Sequence, residues 1–208
     1  MKTKGKFIVF EGIDGSGKST QLKRLCAYLS EQGIPCAATC EPTHSPFGTL
    51  LRACLTGELD SDERAIAALF AADRLDHSFN RETGIRRMLE EGVTVLCDRF
   101  YFSSFAYNGG LVPLEWVISL NEVARREMRP DLTVYIELSP EEGMRRLARR
   151  GRTERYESFE RQAAVHDRYL ALFERFRDTE RIAIVKSDAD KDVTQAAIRR
   201  AVAPLFGL

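Results

Sequence analysis

Short apolar runs alternate along the chain with longer stretches of helical periodicity. The apolar runs are rich in β-branched and aromatic residues, which is typical of buried strands. They predict strands over residues 6–10, 35–39, 93–97, 132–138 and 182–185. Between the strands, apolar residues recur at three- and four-residue spacing, as in Leu22, Leu25 and Leu29. This period predicts helices over residues 18–32, 62–91, 113–129, 140–150, 158–177 and 190–202.

Strands that alternate with helices predict an α/β fold. Such folds are built from parallel βαβ units, so we expect a five-stranded parallel sheet with helices on both faces. The 208 residues suit one domain, residues 1–208. Ligands of these folds bind at the carboxyl ends of the strands. The chemistry is therefore expected just after Phe10, Thr39 and Cys97.

The first of these places carries the sequence FEGIDGSGKST, residues 10–20. It fits the motif G-x-x-x-x-G-K-[ST] of a phosphate-binding loop, in the strand–loop–helix context that the motif requires. Backbone N–H groups of such a loop surround phosphates, and the helix that follows adds its positive dipole end. Lys18 is expected to reach the β- and γ-phosphates of ATP, and Ser19 to bind Mg²⁺; the alternative is a flexible glycine turn. The predicted ATP-binding loop comprises Gly12, Ile13, Asp14, Gly15, Ser16, Gly17, Lys18, Ser19 and Thr20.

A charged pair, Asp98 and Arg99, follows the third predicted strand in the sequence CDRFYFSSFAYNGG. A carboxylate at this edge of the sheet can orient the hydration shell of Mg²⁺, and an arginine can bind a phosphate through two hydrogen bonds. Asp98 is therefore predicted, with Ser19, as a metal-site residue. The alternative is a surface ion pair at the end of a strand.

Two further residues share one face of the long helix predicted over residues 62–91. Phe70 and Arg74 stand four positions apart in ALFAADRLDH. A phenyl ring can stack on a flat heteroaromatic ring while the guanidinium bonds its edge. The alternative is a core phenylalanine beside an arginine on the helix surface.

The segment from Met144 to Gln162 is rich in arginine. Its arginines are Arg145, Arg146, Arg149, Arg150, Arg152, Arg155 and Arg161. Arginines on a loop near a phosphate site are typical of a lid that closes over the transferring group. The alternative is a solvated basic helix face that neighbouring glutamates neutralise.

Charge, hydropathy and cysteine content narrow the class of protein. The chain has 31 basic and 31 acidic residues, so its net charge does not favour nucleic acid as a partner. Its apolar runs are too short for a membrane span, and Glu11 interrupts the first run too early for a signal peptide. The cysteines are five, an odd number without a C-x-x-C pair, which favours free thiols in a reducing cytoplasm.

Together these motifs resemble, in order and over nearly the whole chain, those of the thymidylate kinase family, which phosphorylates dTMP. The resemblance is carried by FEGIDGSGKST, Glu41-Pro42 with LLR ending at Arg52, LFAADRLDH, DRF, SSFAYN, PDLTVYIELSPEEGMRR and the arginine-rich segment from Arg146 to Glu157. It implies the P-loop NTPase-type architecture of nucleoside monophosphate kinases, with a lid over about residues 146–160. Asn108 stands where many members of the family have glutamine.

The resemblance also implies a role for each matching position. Phe70 stacks on thymine and Arg74 bonds its edge. Ser104 and Asn108 complete the recognition of the base, and Tyr107 lies under the deoxyribose. The implied substrate-binding residues are Glu41, Arg52, Phe70, Arg74, Arg99, Ser103, Ser104, Tyr107 and Asn108.

The phosphates are assigned by the same resemblance. Arg52 and Arg99 hold the phosphate of the acceptor, and Arg146 lies near the adenine of ATP. Some members carry an arginine at the position of Gly15, whereas others keep glycine there and place the arginines in the lid. This chain resembles the second, largely bacterial, type. The implied catalytic residues are Asp14, Lys18, Arg99, Arg150 and Arg155.

The activity expected from the resemblance is transfer of a phosphoryl group from ATP–Mg²⁺ to dTMP, giving dTDP and ADP in dTTP synthesis. The family implies a homodimer. One alternative is a deoxynucleoside kinase, which typically shows Glu-Arg-Ser where this chain has Asp-Arg-Phe. Others are a kinase of a related pyrimidine monophosphate such as dUMP, or a nucleotide-binding regulator that has lost transfer.

Overall fold

A five-stranded sheet forms the centre of the protein in its computed structural model, which describes residues 4–149 and 158–208. The strands are β1 (Phe7–Glu11), β2 (Cys36–Cys40), β3 (Thr94–Asp98), β4 (Leu132–Glu137) and β5 (Ile182–Lys186). They are all parallel and lie in the order β2-β3-β1-β4-β5. The sequence prediction of a parallel sheet with five strands is therefore confirmed.

Helices connect the strands and cover the sheet. They are α1 (Lys18–Glu31), α2 (Pro46–Thr56), α3 (Glu63–Phe79), α4 (Ile85–Glu90), α5 (Tyr101–Tyr107), α6 (Leu114–Leu120), α7 (Glu122–Glu127), α8 (Pro140–Ala148), α9 (Phe159–Phe176) and α10 (Lys191–Val202). Side-chain caps fix several starts: Ser45 accepts from the Gly48 N–H, Asp62 from the Arg64 N–H and Ser139 from the Glu142 N–H. None of the helices within the described ranges is both long and apolar enough to cross a membrane.

Two of the predicted helices were wrong in their extent. The span 62–91 contains two helices, because the chain turns after α3: the Asn80 side chain accepts from the Glu82 and Thr83 N–H groups. The span 113–129 divides at Asn121, whose buried side chain bonds to the Val117 carbonyl and to α3. The pattern of apolar residues missed α2 and α5, which are short and follow the strands closely.

The centre of the sheet is buried on both faces because β1, β3 and β4 alternate their side chains between two apolar clusters. Phe7 and Val9 of β1 enter a cluster rich in aromatic residues, formed with α4, α5 and α9. Ile8 and Phe10 face the aliphatic side chains of α1 and α10. This burial fixes the carboxyl ends of β1 and β3 side by side, with Phe10 in register with Asp98.

The loop between β1 and α1 approaches its neighbours closely at two glycines. Gly15 has a φ of 81°, and a Cβ there lies 2.7 Å from the carbonyl oxygen of Gly143 in α8. A Cβ at Gly12 similarly lies 2.7 Å from the Ile136 carbonyl oxygen. Both approaches are shorter than a real Cβ contact, so this loop packs against β4 and α8 only with glycine at these positions.

We predict that Gly15→Ala destabilises the protein more than Gly33→Ala. Gly33 has a similar φ of 77° but nothing within 4 Å of its Cβ position, so it isolates the backbone cost, about 1–2 kcal/mol. Gly15→Ala adds overpacking against α8, which costs about 1–3 kcal/mol more. The free energies of unfolding in urea without nucleotide compare the two. Equal losses of unfolding free energy in the two variants would show that α8 moves away from the added methyl group without an energetic penalty.

Candidate active site

The loop between β1 and α1 surrounds the buried amine of Lys18. Its Nζ donates to the carbonyl oxygens of Gly12 at 3.0 Å and of Ile13 at 2.9 Å. Burial, and then the charge of Arg99, lowers the pKa of Lys18 to about 8, although nearby carboxylates oppose the shift. Thr20 follows on the exposed face of α1. The loop and the first turn of α1 thus direct a cation and backbone N–H groups at one point.

Ser19, in the first turn of α1, and Asp98, at the end of β3, come together. The Ser19 hydroxyl donates a short hydrogen bond to Oδ2 of Asp98. A hydroxyl and a carboxylate oxygen are hard ligands of the kind that Mg²⁺ prefers, usually with water completing its shell. The donor set therefore fits the metal that the phosphate-loop motif implies.

Arg99 and Asp14 form an ion pair where β3 ends beside the loop. Nη2 of Arg99 lies 2.5 Å from Oδ1 of Asp14, and Nη1 donates to the Ser103 hydroxyl at 3.0 Å. The φ of Arg99 is 71°, a conformation that costs a non-glycine residue energy and that strand register enforces here. Its N–H donates to the Phe10 carbonyl at 2.9 Å, which ties the strained residue to β1.

Asp14 receives two further hydrogen bonds on its second oxygen. The Tyr107 hydroxyl donates to Oδ2 at 3.0 Å and the Gln162 amide at 2.9 Å. Burial alone acts to raise the pKa of Asp14, but the charges of Arg99 and Lys18 outweigh it and set the pKa to about 2. Asp14 is therefore ionised at neutral pH and orients both Arg99 and Tyr107.

Three residues that sequence reasoning missed hold Asp14 and Ser103, the partners of Arg99, in place. Glu11 is fully buried and accepts hydrogen bonds from the Ser103 hydroxyl at 2.6 Å and the Tyr169 hydroxyl at 2.8 Å. Burial raises the pKa of Glu11. Gln162 and Tyr169 lie on α9, about 150 residues after β1 in the chain. No local sequence pattern marks contacts over this separation in the chain.

A cavity of about 260 Å³ opens beside the ion pair. It is lined by Asp14, Glu41, Pro42, Leu55, Phe70, Arg99, Ser103, Ser104, Tyr107 and Asn108. Apart from Pro42 and Leu55, these are residues that the sequence proposed as site residues. Oδ1 of Asn108 is buried and has no hydrogen-bond partner among the described residues. The cavity therefore combines an aromatic face, an unsatisfied acceptor and a cation.

Arg74 lies behind the cavity wall and is only 1% exposed, so the alternative of a helix-surface arginine is wrong. Nε donates to Oε2 of Glu41 at 2.8 Å, and Nη1 donates to the Ser104 hydroxyl at 2.9 Å. Nη1 also donates a short hydrogen bond to Asn121. Nη2 lies 2.7 Å from the same Glu41 oxygen but makes no aligned hydrogen bond to any described residue. The guanidinium is thus fixed on three sides.

Arg52 does not line the cavity. Its guanidinium donates to the carbonyl oxygen of Thr43 at 2.6 and 2.8 Å and to that of Pro42 at 3.1 Å. The peptide bond between Glu41 and Pro42 is cis. The side chain of Asp73 accepts from the Thr43 N–H at 2.8 Å, so α2 and α3 both hold this loop in place.

Arg146 connects α8 to two segments at the other end of the loop. Nη1 donates to the Ser187 hydroxyl at 3.0 Å and to the Gly15 carbonyl at 3.4 Å, while Nε donates to Glu142. It therefore stands between the phosphate loop and the segment after β5. Arg150 and Arg155 lie outside the described residues, as does most of the arginine-rich segment.

One group of potential metal ligands exists in the described part of the chain: Glu41, His77 and Cys97, with ligand atoms within 4.8 Å. The thiol of Cys97 donates to the Arg99 carbonyl at 3.1 Å, and burial raises its pKa well above the usual range. Glu41 already pairs with Arg74. A protonated thiol and a neutralised carboxylate do not favour a cation here, so the group is a hydrogen-bonded network.

Comparison with known proteins places this geometry in a family. The sequence model of the family described as "Thymidylate kinase" matches residues 10–198. The chain is 39% identical to the thymidylate kinase of Symbiobacterium thermophilum, covering 94% of this chain and 92% of the relative.

Other relatives show the same extent of similarity. A thymidylate kinase of Alkalilimnicola ehrlichii is 38% identical, with 97% of this chain and 94% of the relative covered. A probable thymidylate kinase of Pyrococcus abyssi is 40% identical, with 84% and 86% covered. The matched residues 10–198 span the phosphate loop, the end of β3 and the elements that line the cavity. The chain belongs to the thymidylate kinase family.

Proposed function

We propose that the protein transfers the γ-phosphoryl group of ATP to the 5′-phosphate of dTMP, giving dTDP and ADP for dTTP synthesis. The proposal rests most on the cavity, in which Phe70 and Tyr107 lie beside Arg99 and Asp14. Arg99 also donates to the Gly12 carbonyl at 3.3 Å, so the cavity adjoins the phosphate loop. A nucleotide in the cavity would direct its phosphate towards that loop.

The donor is assigned to the loop and the first turn of α1. Backbone N–H groups and the buried amine of Lys18 bind the β- and γ-phosphates of ATP. Arg146, between Gly15 and Ser187, is assigned to the adenine side. Ser19 and Asp98 hold Mg²⁺, which supplies positive charge to the phosphate oxygens when bound.

The acceptor base is assigned to the deeper part of the cavity. Phe70 offers a ring face, and buried Oδ1 of Asn108 offers an acceptor for an N–H group of the base. Nη2 of Arg74 is paired with Glu41 but makes no aligned hydrogen bond to a residue that the structure describes, so it can donate to a carbonyl at the base edge. Tyr107, fixed by Asp14, is assigned to the deoxyribose.

Catalysis then consists of positioning and charge compensation, because two polyanions must meet. Arg99 is assigned to the acceptor phosphate, with Arg52 from α2. No general base is needed, because the acceptor is already a phosphate oxygen. Arg150 and Arg155 are proposed to complete the charge compensation when the lid over residues 146–160 closes, and Asp14 keeps Arg99 oriented.

Release of ADP from ATP–Mg²⁺ tests the proposal against dTMP, dUMP, UMP, CMP, AMP, GMP and thymidine. Turnover with dTMP far above the others is expected. Turnover with thymidine but not with dTMP would identify a deoxynucleoside kinase, and equal turnover with dUMP would identify a broader pyrimidine monophosphate kinase. ATP binding without turnover on any acceptor would contradict transfer altogether.

The protein is also proposed to be a cytoplasmic homodimer, as the family resemblance implies. Large apolar side chains of Phe47, Leu50, Trp116 and Val123 are more than a third exposed. They lie on α2, α6 and α7, which all pack against α3, and exposed apolar side chains of this size are typical of protein–protein contacts. Sedimentation velocity should show a species of twice the chain mass of 23.6 kDa; a monomer at micromolar concentration would contradict the dimer.

The depressed pKa of Lys18 predicts an alkaline loss of activity. The pKa falls from 10.5 to about 8, so the amine is charged below pH 8 and loses its charge above it. We expect kcat/KM for ATP–Mg²⁺ to fall towards tenfold per pH unit above about pH 8, since kcat/KM reports the free enzyme. A Lys18→Arg control stays charged, so its smaller kcat/KM should not fall there. A flat wild-type profile to about pH 9.5 would contradict the assignment.

The stacking role of Phe70 is tested by comparison with its neighbour Leu69. Both side chains pack against Leu51, Cys54 and Ile66, but only Phe70 lines the cavity. Phe70→Ala should raise KM for dTMP by about tenfold and leave KM for ATP nearly unchanged, because it removes a stacking surface for the base. Leu69→Ala should alter stability only. Equal effects of Phe70→Ala on both KM values would assign Phe70 to the core alone.

A further inference from the structure

A chain of hydrogen bonds runs beneath the cavity from β2 to the guanidinium of Arg74. The Thr39 hydroxyl lies 2.7 Å from Nε2 of His77, and Nδ1 of His77 lies 3.0 Å from Oε1 of Glu41. Oε2 of Glu41 accepts from Nε of Arg74 at 2.8 Å. The side chains of Glu41 and Arg74 are 1% exposed and that of His77 is 8% exposed, so the two contacts of Glu41 are shielded from water.

The direction of the hydrogen bonds follows from Glu41. Its carboxylate, paired with Arg74, offers only acceptor oxygens. Nδ1 of His77 must therefore carry a proton and donate to it. In the neutral ring, Nε2 then accepts from the hydroxyl of Thr39; in the charged ring, Nε2 donates to it. In either state, the contact between His77 and Glu41 is a hydrogen bond from the histidine.

Glu41 divides its two oxygens between two partners. Oε2 accepts from Arg74, and Oε1 accepts from His77. A carboxylate held at one oxygen only can turn about its terminal torsion, which is soft, whereas one held at both cannot. His77 therefore fixes the plane of the carboxylate, and this plane sets the orientation of the guanidinium that it accepts from.

We infer that His77 is a positioning residue which, through Glu41, fixes Arg74 for discrimination between pyrimidine bases. The inference rests on the proposed function. A guanidinium offers only donors, so it can bond a carbonyl at the base edge but not an amino group there. Rejection requires a guanidinium that cannot turn away, because buried polar groups discriminate only when they are held in place. Loosening His77 should therefore affect discrimination between dTMP and dCMP.

Two conservative variants separate the two nitrogens of His77. In His77→Asn the amide nitrogen takes the place of Nδ1 and can still donate to Glu41. In His77→Gln the amide takes the place of Nε2, keeps the contact with Thr39 and loses the one with Glu41. Both variants remove the ring, so any difference between them reports the hydrogen bond to Glu41.

The measured quantity is the ratio of kcat/KM for dTMP to that for dCMP, together with KM for ATP and the melting temperature. His77→Gln should lower the ratio at least about fivefold and raise KM for dTMP about tenfold, with KM for ATP unchanged. For His77→Asn, the ratio and both KM values should stay within about threefold of those of the wild type. A ratio unchanged in His77→Gln, or lowered equally in both variants, would overturn the inference.

A double-mutant cycle shows whether His77 acts through Glu41. Glu41→Gln should lower the same ratio, and adding His77→Gln to it should lower the ratio no further. Additive losses would overturn the inference. If His77→Gln does not fold, Thr39→Val tests the inference instead, because it removes the other hydrogen bond of His77. A lowered dTMP-to-dCMP ratio would support the inference, and an unchanged ratio would contradict it.

The wild-type protein separates this inference from the proposed function. Wild-type turnover with dTMP and an unchanged ratio in His77→Gln would contradict the positioning role alone. Absence of both turnover and calorimetric binding of dTMP by the wild type would contradict the proposed function, and the positioning role with it.

Discussion

The ion pair between Arg99 and Asp14 is the contact on which the rest of the site depends. The parallel register of β1 and β3 brings their carboxyl ends together, with Phe10 opposite Asp98. Arg99 then bridges the phosphate loop, the start of α5 and, through Asp14, the hydroxyl of Tyr107. The hydrogen bond from its N–H to β1 fixes the backbone from which the guanidinium extends, at a φ of 71°.

Charge compensation explains why so many ionised groups can be buried around one cavity. Arg74 is paired with Glu41, Arg99 with Asp14, and Lys18 lies among several carboxylates. A buried charge without such a partner costs several kcal/mol, roughly the whole stability of a small domain. The carboxylates therefore make it possible to bury arginine and lysine side chains in their charged form beside the proposed phosphate site.

Much of the fold could be predicted from the sequence because its signals are local. The strands have apolar runs of the right length, and the phosphate loop has a fixed spacing between strand and helix. The breaks at Asn80 and Asn121 could not be predicted, because they depend on side-chain hydrogen bonds that compete with helical periodicity. The burial of Arg74 also depends on partners distant in the chain, since Glu41 and Asn121 lie on other elements.

The same reason explains which site residues the sequence missed. Gln162 and Tyr169 contact Asp14 and Glu11 across about 150 positions, and no local pattern marks such a contact. His77 belonged to a motif that was recognised, but nothing in its spacing connected it to Thr39 of β2. The chemistry carried by short motifs was thus visible, whereas the residues that orient it required the assembled fold.

The close approach of Gly15 to Gly143 has a consequence for the history of this family. The loop and α8 meet backbone to backbone, with no space for a side chain on either side: a Cβ at Gly143 lies 3.0 Å from the Asp14 carbonyl. Neither position can therefore change freely while the other stays as it is. A member of the family with a side chain at the position of Gly15 must therefore hold α8 further from the loop.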